Sequence, residues 1–159
     1  MLKAMKLNLM LSRELRMEKN IKNILSESIE ITKSILGNDT IIRNIEIVSL
    51  KIIDAFRNGK RVFFCGNGGS AADAQHLAAE FSGKFYIDRP PLDAEALHCN
   101  TSHLTAVAND YSYVEVYSRL IKAKGKKGDI LIGISTSGNS KNIIAAIQTA
   151  NDLGLLTVG

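Results

Sequence analysis

A doubly wound parallel α/β sheet preceded by a helical hairpin is the fold this sequence predicts, and three features predict it. Apolar residues recur every three or four positions over 17–36 and again over 39–58. From 61 onward the rhythm changes to short β-branched or aromatic runs, each followed by a loop and a helical segment. That unit recurs along the chain, and strands separated by helices call for parallel crossovers with helices on both faces of one sheet.

Taken in order, Ile21, Ile24, Leu25, Ile29, Ile31 and Ile35 form most of one helical face, which ends near Gly37. The next helix starts at Asp39, a candidate N-cap, and runs through Ile42, Ile45, Val48, Ile52 and Phe56 to the stop signal Asn58-Gly59. A short turn between two long helices predicts a hairpin. Strands follow at 61–65, 94–99, 129–134 and 155–158, with helical segments at 71–84, 101–108, 114–123 and 141–153. Met17 opens the first clean helical pattern, so residues 1–16 read as a loose extension or a misplaced start, and 17–159 as one domain. The last strand has no helix after it to cover its face, which predicts a domain that is incomplete at its C-terminus.

The 159 residues are 45% hydrophobic and 23% charged, the composition of a single ordinary domain. A net charge of +4 raises the question of nucleic acid, but the basic residues are dispersed and only 6% of the chain is aromatic. A mildly basic surface suited to small anions is the better reading. No apolar run approaches the ~20 residues of a membrane span. Two cysteines, Cys65 and Cys99, are too few for a disulfide framework and point to a reducing, cytoplasmic setting.

The chemistry gathers in two loops. Cys65-Gly66-Asn67-Gly68-Gly69-Ser70 lies between a strand and a helix, where glycines admit close backbone approach and N–H groups face an anion. It lacks the Lys-Ser/Thr pair of a nucleotide-binding P-loop, and taken alone it reads equally well as a plain connecting turn. The second loop shifts that balance. Ser135-Thr136-Ser137-Gly138-Asn139-Ser140 also follows a strand and precedes a helix, and it carries four hydroxyls where an ordinary N-cap needs one. Neutral donors at a helix N-terminus suit a phosphate monoester. Both loops leave the carboxyl ends of parallel strands, where open α/β sheets bind ligands.

His76 and Glu80 stand four residues apart, on one face of the helix after the first loop. Such a pair binds a divalent metal, or its carboxylate moves a proton, or it is a solvated surface pair; proximity to the glycine-rich loop favours the functional readings. The surrounding alanines suggest close helix packing, including against another subunit. Asn109-Asp110 either reaches sugar hydroxyls or terminates a helix. Cys65 reads as a buried apolar residue, His98 and His103 as structural, and the lysines at 122–127 as a solvated turn.

The segments FFCGNGGSAADAQHLAAEFSGKF and AVANDYSYVEVYSRLIKAKGKKGDILIGISTSGNS, with the helix after them, resemble the bacterial phosphoheptose (sedoheptulose 7-phosphate) isomerases of the SIS family from about Met17 to the end. The resemblance implies a SIS-type fold and a homotetramer with sites between subunits. It also implies conversion of sedoheptulose 7-phosphate to D-glycero-D-manno-heptose 7-phosphate, the first step towards nucleotide-activated heptose for surface glycans. By the same resemblance Ser135, Thr136, Ser137 and Ser140 match the phosphate loop, and Asn67, Gly68, Gly69, Ser70, Asn109 and Asp110 match substrate contacts. His76 and Glu80 match ligands of one zinc per subunit, and Glu80 also matches the substrate-binding catalytic carboxylate.

Two departures stand out. Lys84 occupies a place where close relatives often have Arg, which keeps the charge without the fork geometry. In the family a second catalytic residue, a His, and a metal-binding Gln lie on a C-terminal helix, whereas this sequence ends at Gly159, so the expectation is that this polypeptide by itself is inactive or nearly so. Two rival readings are non-catalytic, a SIS protein that binds the replication initiator protein or a module that only senses a sugar phosphate, and a third is a different sugar-phosphate isomerase or an epimerase for a modified heptose, since the same loops would bind any terminal phosphate. Glu80 and the intact STSGNS loop favour the enzyme over the first of these.

Overall fold

The computed structural model describes the backbone from Leu2 and the side chains from Arg16 to Gly159. The chain divides into two units, Met1–Ile47 and Val48–Gly159. In the first, α1 (Leu2–Leu36) leads through a turn at Gly37 into the start of α2 (Asp39–Arg57). The expected cap moves by one residue: Asn38, not Asp39, accepts from the backbone N–H groups of Thr40 and Ile41, both at 3.1 Å. Its carboxamide reaches the second and third donors beyond it, and Asp39 instead complements the helix dipole from the first turn. The helix that the periodicity starts at Met17 begins at Leu2, and the loose extension expected over 1–16 falls almost wholly outside the described side chains.

The expected hairpin is not a packed one. Met17, Ile24 and Leu36 of α1 remain 66%, 62% and 75% exposed, and Ile42 and Ile45 of α2 are exposed as well. Burying each such side chain is worth about 1.5–3 kcal/mol, so the stripe that makes α1 predictable is left for another surface to cover.

The second unit is built on four parallel strands: β1 (Val62–Gly66), β2 (Ala94–Ala96), β3 (Ile130–Ile134) and β4 (Leu156–Val158), in the order β2-β1-β3-β4. Between them run α3 (Gly69–Ser82), α4 (Thr101–Asp110), a 3-10 turn at Tyr113–Glu115 that leads into α5 (Val116–Lys124), and α6 (Lys141–Asp152). β1 is a continuous apolar run because both its faces are covered. Phe63 and Cys65 point into a core shared with Val107, Tyr117, Ile121 and Ile143 from α4, α5 and α6. Val62 and Phe64 point the other way, towards Ala74 and Ala78 of α3 and Ala55 of α2. On that second face Ile132, Ile134 and Val158 are only partly buried.

Buried Asp129 holds the strand starts together: its carboxylate accepts from the backbone N–H of Arg61 at 3.1 Å and of Lys126 at 2.9 Å. The topology then positions the site. Since β2 lies on one side of β1 and β3 on the other, the connections diverge between β1 and β3, the switch point at which open sheets of this kind leave a crevice at the strands' carboxyl ends.

Candidate functional site

The two loops picked out by their composition leave β1 and β3, the neighbouring strands at that crevice. In the first, Gly68 takes a left-handed φ of 54° and the helix begins at once, so Gly69 and Ser70 form the first turn of α3 and not part of an open loop. The turn closes through Ser70 N–H to the Asn67 carbonyl at 3.0 Å and Ala71 N–H to that of Gly68 at 3.1 Å. Gly66 is required by close approach, because a Cβ there would lie 2.4 Å from the Ser70 carbonyl oxygen. Among the described residues, the backbone N–H groups of Gly68 and Gly69 make no hydrogen bond, as an anion site requires.

In the second loop three hydroxyls converge. Ser135 Oγ lies 3.1 Å from Ser140 Oγ and 3.4 Å from Ser137 Oγ. Ser140 is the N-cap residue of α6, yet its side chain caps no backbone N–H, which leaves the hydroxyl for a ligand. Thr136 is exposed and has no side-chain partner among the described residues. Gly138 turns the loop with a φ of 65°, and Gly133 lets α6 sit against β3, since a Cβ there would meet Ile143 at 2.9 Å. The dipole of α6 therefore adds to the hydroxyl cluster at one point.

A contact that no sequence pattern announces joins the two loops. Asn67 Nδ2 donates to Asn142 Oδ1 at 2.9 Å, and Asn142 Nδ2 donates back to Asn67 Oδ1 at 2.8 Å. Tyr113 Oη donates to the same Asn67 Oδ1 at 3.3 Å. Behind them buried Tyr117 donates to the Gly66 carbonyl at 2.6 Å, and burial raises its pKa further above the ordinary phenol value.

On α3, His76 Nε2 and Glu80 Oε1 are 3.2 Å apart, with the histidine side chain 73% and the glutamate 36% exposed. They share a cleft of about 400 Å³ with Leu77, Phe81, Phe85, Ile87 and Arg89. Asp73, His76 and Leu77 also line a cavity with Ile134, the residue just before Ser135, so this face of α3 looks towards the second loop. Of the alanines expected to mediate close packing, Ala74 and Ala78 lie against the sheet, while Ala72 and Ala79 are exposed. Arg89 carries no sequence signal. Its guanidinium donates to the carbonyls of Phe81 at 2.9 Å and Glu80 at 3.2 Å, ending α3 with a cation where the helix dipole is negative.

The SIS domain family matches residues 19–159. The phosphoheptose isomerase of Aneurinibacillus thermoaerophilus is 48% identical over 139 residues, 87% of this chain and 70% of that protein. That of Mycobacterium tuberculosis is 49% identical over 137 residues, 86% of this chain and 70% of that protein. The chain belongs to the phosphoheptose isomerase family of SIS-domain proteins. Among solved structures, the phosphoheptose isomerase of Neisseria gonorrhoeae superposes with a TM-score of 0.81 at 36% identity, covering 89% of this chain and 72% of that one.

Within this isomerase fold the remaining candidates separate. Asn109 and Asp110 close α4, and Asn109 Nδ2 donates to Asp110 Oδ1 at 2.9 Å; no hydrogen bond joins either to the two loops. His103 Nε2 meets the Val116 carbonyl at 3.2 Å and His98 Nε2 meets Gln75 at 3.3 Å, both structural contacts, and burial lowers the pKa of His98. Lys84 is exposed. Cys65 is fully buried, and burial pushes its thiol up to about 12, so it is no nucleophile. Iodoacetamide at neutral pH is therefore expected to label exposed Cys99 and spare Cys65 until the protein is denatured, read by mass spectrometry. Labelling of Cys65 first in the folded protein would contradict its placement.

Proposed function

We propose that this isomerase interconverts sedoheptulose 7-phosphate and D-glycero-D-manno-heptose 7-phosphate, with Glu80 as the group that moves the proton. The observation that carries the reading is a chain of contacts: three hydroxyls converge at the N-terminus of α6, Ile134 just before them lines a cavity with His76, and His76 lies 3.2 Å from Glu80. Ser135, Thr136, Ser137 and Ser140 hold the phosphate. The sugar runs past the first loop, with Asn67, Gly68, Gly69, Ser70, Asn109 and Asp110 as its contacts, and brings C1 and C2 to α3.

In the ketose the C2 carbonyl makes the C1 proton acidic. Glu80 takes that proton while a water protonates the C2 oxygen, giving the C1–C2 enediol and a hydroxide that later receives the O1 proton. The O1 proton then leaves and the same carboxyl returns its proton to C2, which yields the aldose with no net gain or loss. His76 Nε2, 3.2 Å from Glu80 Oε1, orients the carboxylate, a contact that would give way if the same nitrogen held zinc.

Zinc fits the donor types. An imidazole Nε2 and a carboxylate on one helical face are what it accepts, and His76 and Glu80 would hold it. No group of three such donors occurs among the described residues, so these two form half of a four-coordinate shell. When bound, zinc supplies a Lewis acid that polarises the carbonyl.

The exposed isoleucine and leucine stripe of α1 and α2 supports a homotetramer with sites between subunits. Two free cysteines support a cytoplasmic setting, and no helix among the described residues is long and apolar enough to cross a membrane. The role that follows is supply of activated heptose for surface glycans.

The test is to incubate the protein, in the full length that its gene encodes, with sedoheptulose 7-phosphate and zinc in D2O and follow the sugar phosphates by NMR. Formation of the aldose phosphate is the expected result, with deuterium at C2 to the extent that the Glu80 carboxyl exchanges with solvent before it returns the proton. Tight binding of the sugar phosphate without turnover or exchange would overturn the isomerase reading.

A further inference from the structure

The Asn67–Asn142 amide pair spans 75 residues of sequence and connects the first turn after β1 to the first turn of α6. Asn142 is only 4% exposed, so its amide must be satisfied internally, and it is. Its Oδ1 accepts from Asn67 Nδ2 and from the backbone N–H of Ile143 at 3.0 Å, while its Nδ2 donates to Asn67 Oδ1.

The polarity of this ring is not arbitrary. The backbone N–H of Ile143 is always a donor, so the Asn142 atom facing it must be the oxygen. That oxygen then requires Nδ2 of Asn67 opposite it. The other half of the pair puts Asn67 Oδ1 against Asn142 Nδ2 and Tyr113 Oη, which uses both of its acceptor positions. On the Asn67 amide, one hydrogen of Nδ2 is the only capacity left. Asn67 is half-buried and begins the loop that leaves β1 at the crevice.

We infer that Asn142 is a positioning residue for the isomerase reaction: it fixes the Asn67 carboxamide as a pure donor towards an oxygen of the sugar and holds the sugar-binding turn in register with the phosphate-binding loop. The inference rests on the functional reading above and deepens it. Asn142 itself is buried behind the crevice and acts through Asn67. Since α6 also carries the phosphate-loop N-cap, one amide pair sets the spacing between the two ends of the substrate.

The variant Asn142→Asp tests this. It keeps an oxygen for Ile143 N–H but sets a second oxygen against Asn67 Oδ1, so no orientation of Asn67 satisfies both contacts. Asn142→Leu, of similar size, removes the pair altogether. Affinities are measured calorimetrically on the native protein and both variants for inorganic phosphate and for the heptitol phosphate made by reducing sedoheptulose 7-phosphate, which cannot be isomerised.

The expected result is an affinity for phosphate within about twofold of the parent and roughly tenfold weaker binding of the heptitol phosphate, the size of one lost hydrogen bond. Equal weakening of both ligands, which a loosened α6 would produce, overturns the inference, and so does no change in either. A native protein that does not prefer the heptitol phosphate to phosphate refutes the functional reading instead. The link is then decided by hydrogen exchange at Ser70 and Ala71, the bonded amides of that turn, which rises in Asn142→Leu if the amide pair holds the turn and is unchanged if it does not.

Discussion

Turnover of sedoheptulose 7-phosphate falls about 10²–10⁴-fold when Glu80 is replaced by Gln, the range that a positioned general base contributes. The substitution is nearly isosteric. The amide oxygen can still meet His76, now 3.2 Å from Glu80 Oε1, and the main-chain carbonyl that accepts from Arg89 is untouched. What disappears is the capacity to take a proton from C1 and return it to C2.

The loss is expected in kcat with little change in the affinity for phosphate. The Ser135–Ser140 hydroxyls sit on another element and share no hydrogen bond with Glu80. Steady-state kinetics with phosphate as a competitive inhibitor separates the two effects. Residual turnover within tenfold of the parent would remove Glu80 from the proton-transfer role.

The second large effect falls on stability. In Gly66→Ala the new Cβ would lie 2.4 Å from the Ser70 carbonyl oxygen, 2.5 Å from its carbon and 2.9 Å from the Ala71 nitrogen. All three are backbone atoms in the first turn of α3, so no side-chain rotation relieves the overlap. The helix must move away from β1, which disturbs the contact of Tyr117 with the Gly66 carbonyl and the position of Asn67. A cost of about 3 kcal/mol is expected, the upper part of the range for overpacking a well-filled site. For a domain of this size that lowers Tm by roughly 10 °C. Gly69→Ala is the control, because a Cβ there meets nothing within 4 Å and its φ is not left-handed. A thermal melt in which both variants behave alike would contradict the close approach at Gly66.

How much of this was legible in the chain differs from element to element. The boundaries of α3 to α6 and of the four strands follow periodicity and glycine placement to within about two residues, apart from the shorter β2. The exceptions have local causes. Asn38 outreaches Asp39 as a cap because its carboxamide satisfies two donors at once. Gly69 and Ser70 read as loop but are helical, because the left-handed turn at Gly68 starts α3 immediately. The hairpin follows from turn length alone, whereas packing depends on where each apolar stripe faces: α1 and the first half of α2 keep theirs exposed, while Ile52, Ala55 and Phe56 are packed.

The site divides along the same line. Four hydroxyls before a helix, and a His–Glu pair one turn apart, are contiguous or i,i+4 patterns, and local geometry alone makes such groups converge. For that reason the sequence by itself determined the hydroxyl-rich loop, the His76–Glu80 pair and the alternating strand and helix order. The strand order β2-β1-β3-β4, the pairing of Asn67 with Asn142 and the placement of Arg89 at the end of α3 were decided only by the tertiary structure. They depend on which distant segments share a sheet edge or a helix end, and no period in the chain encodes that.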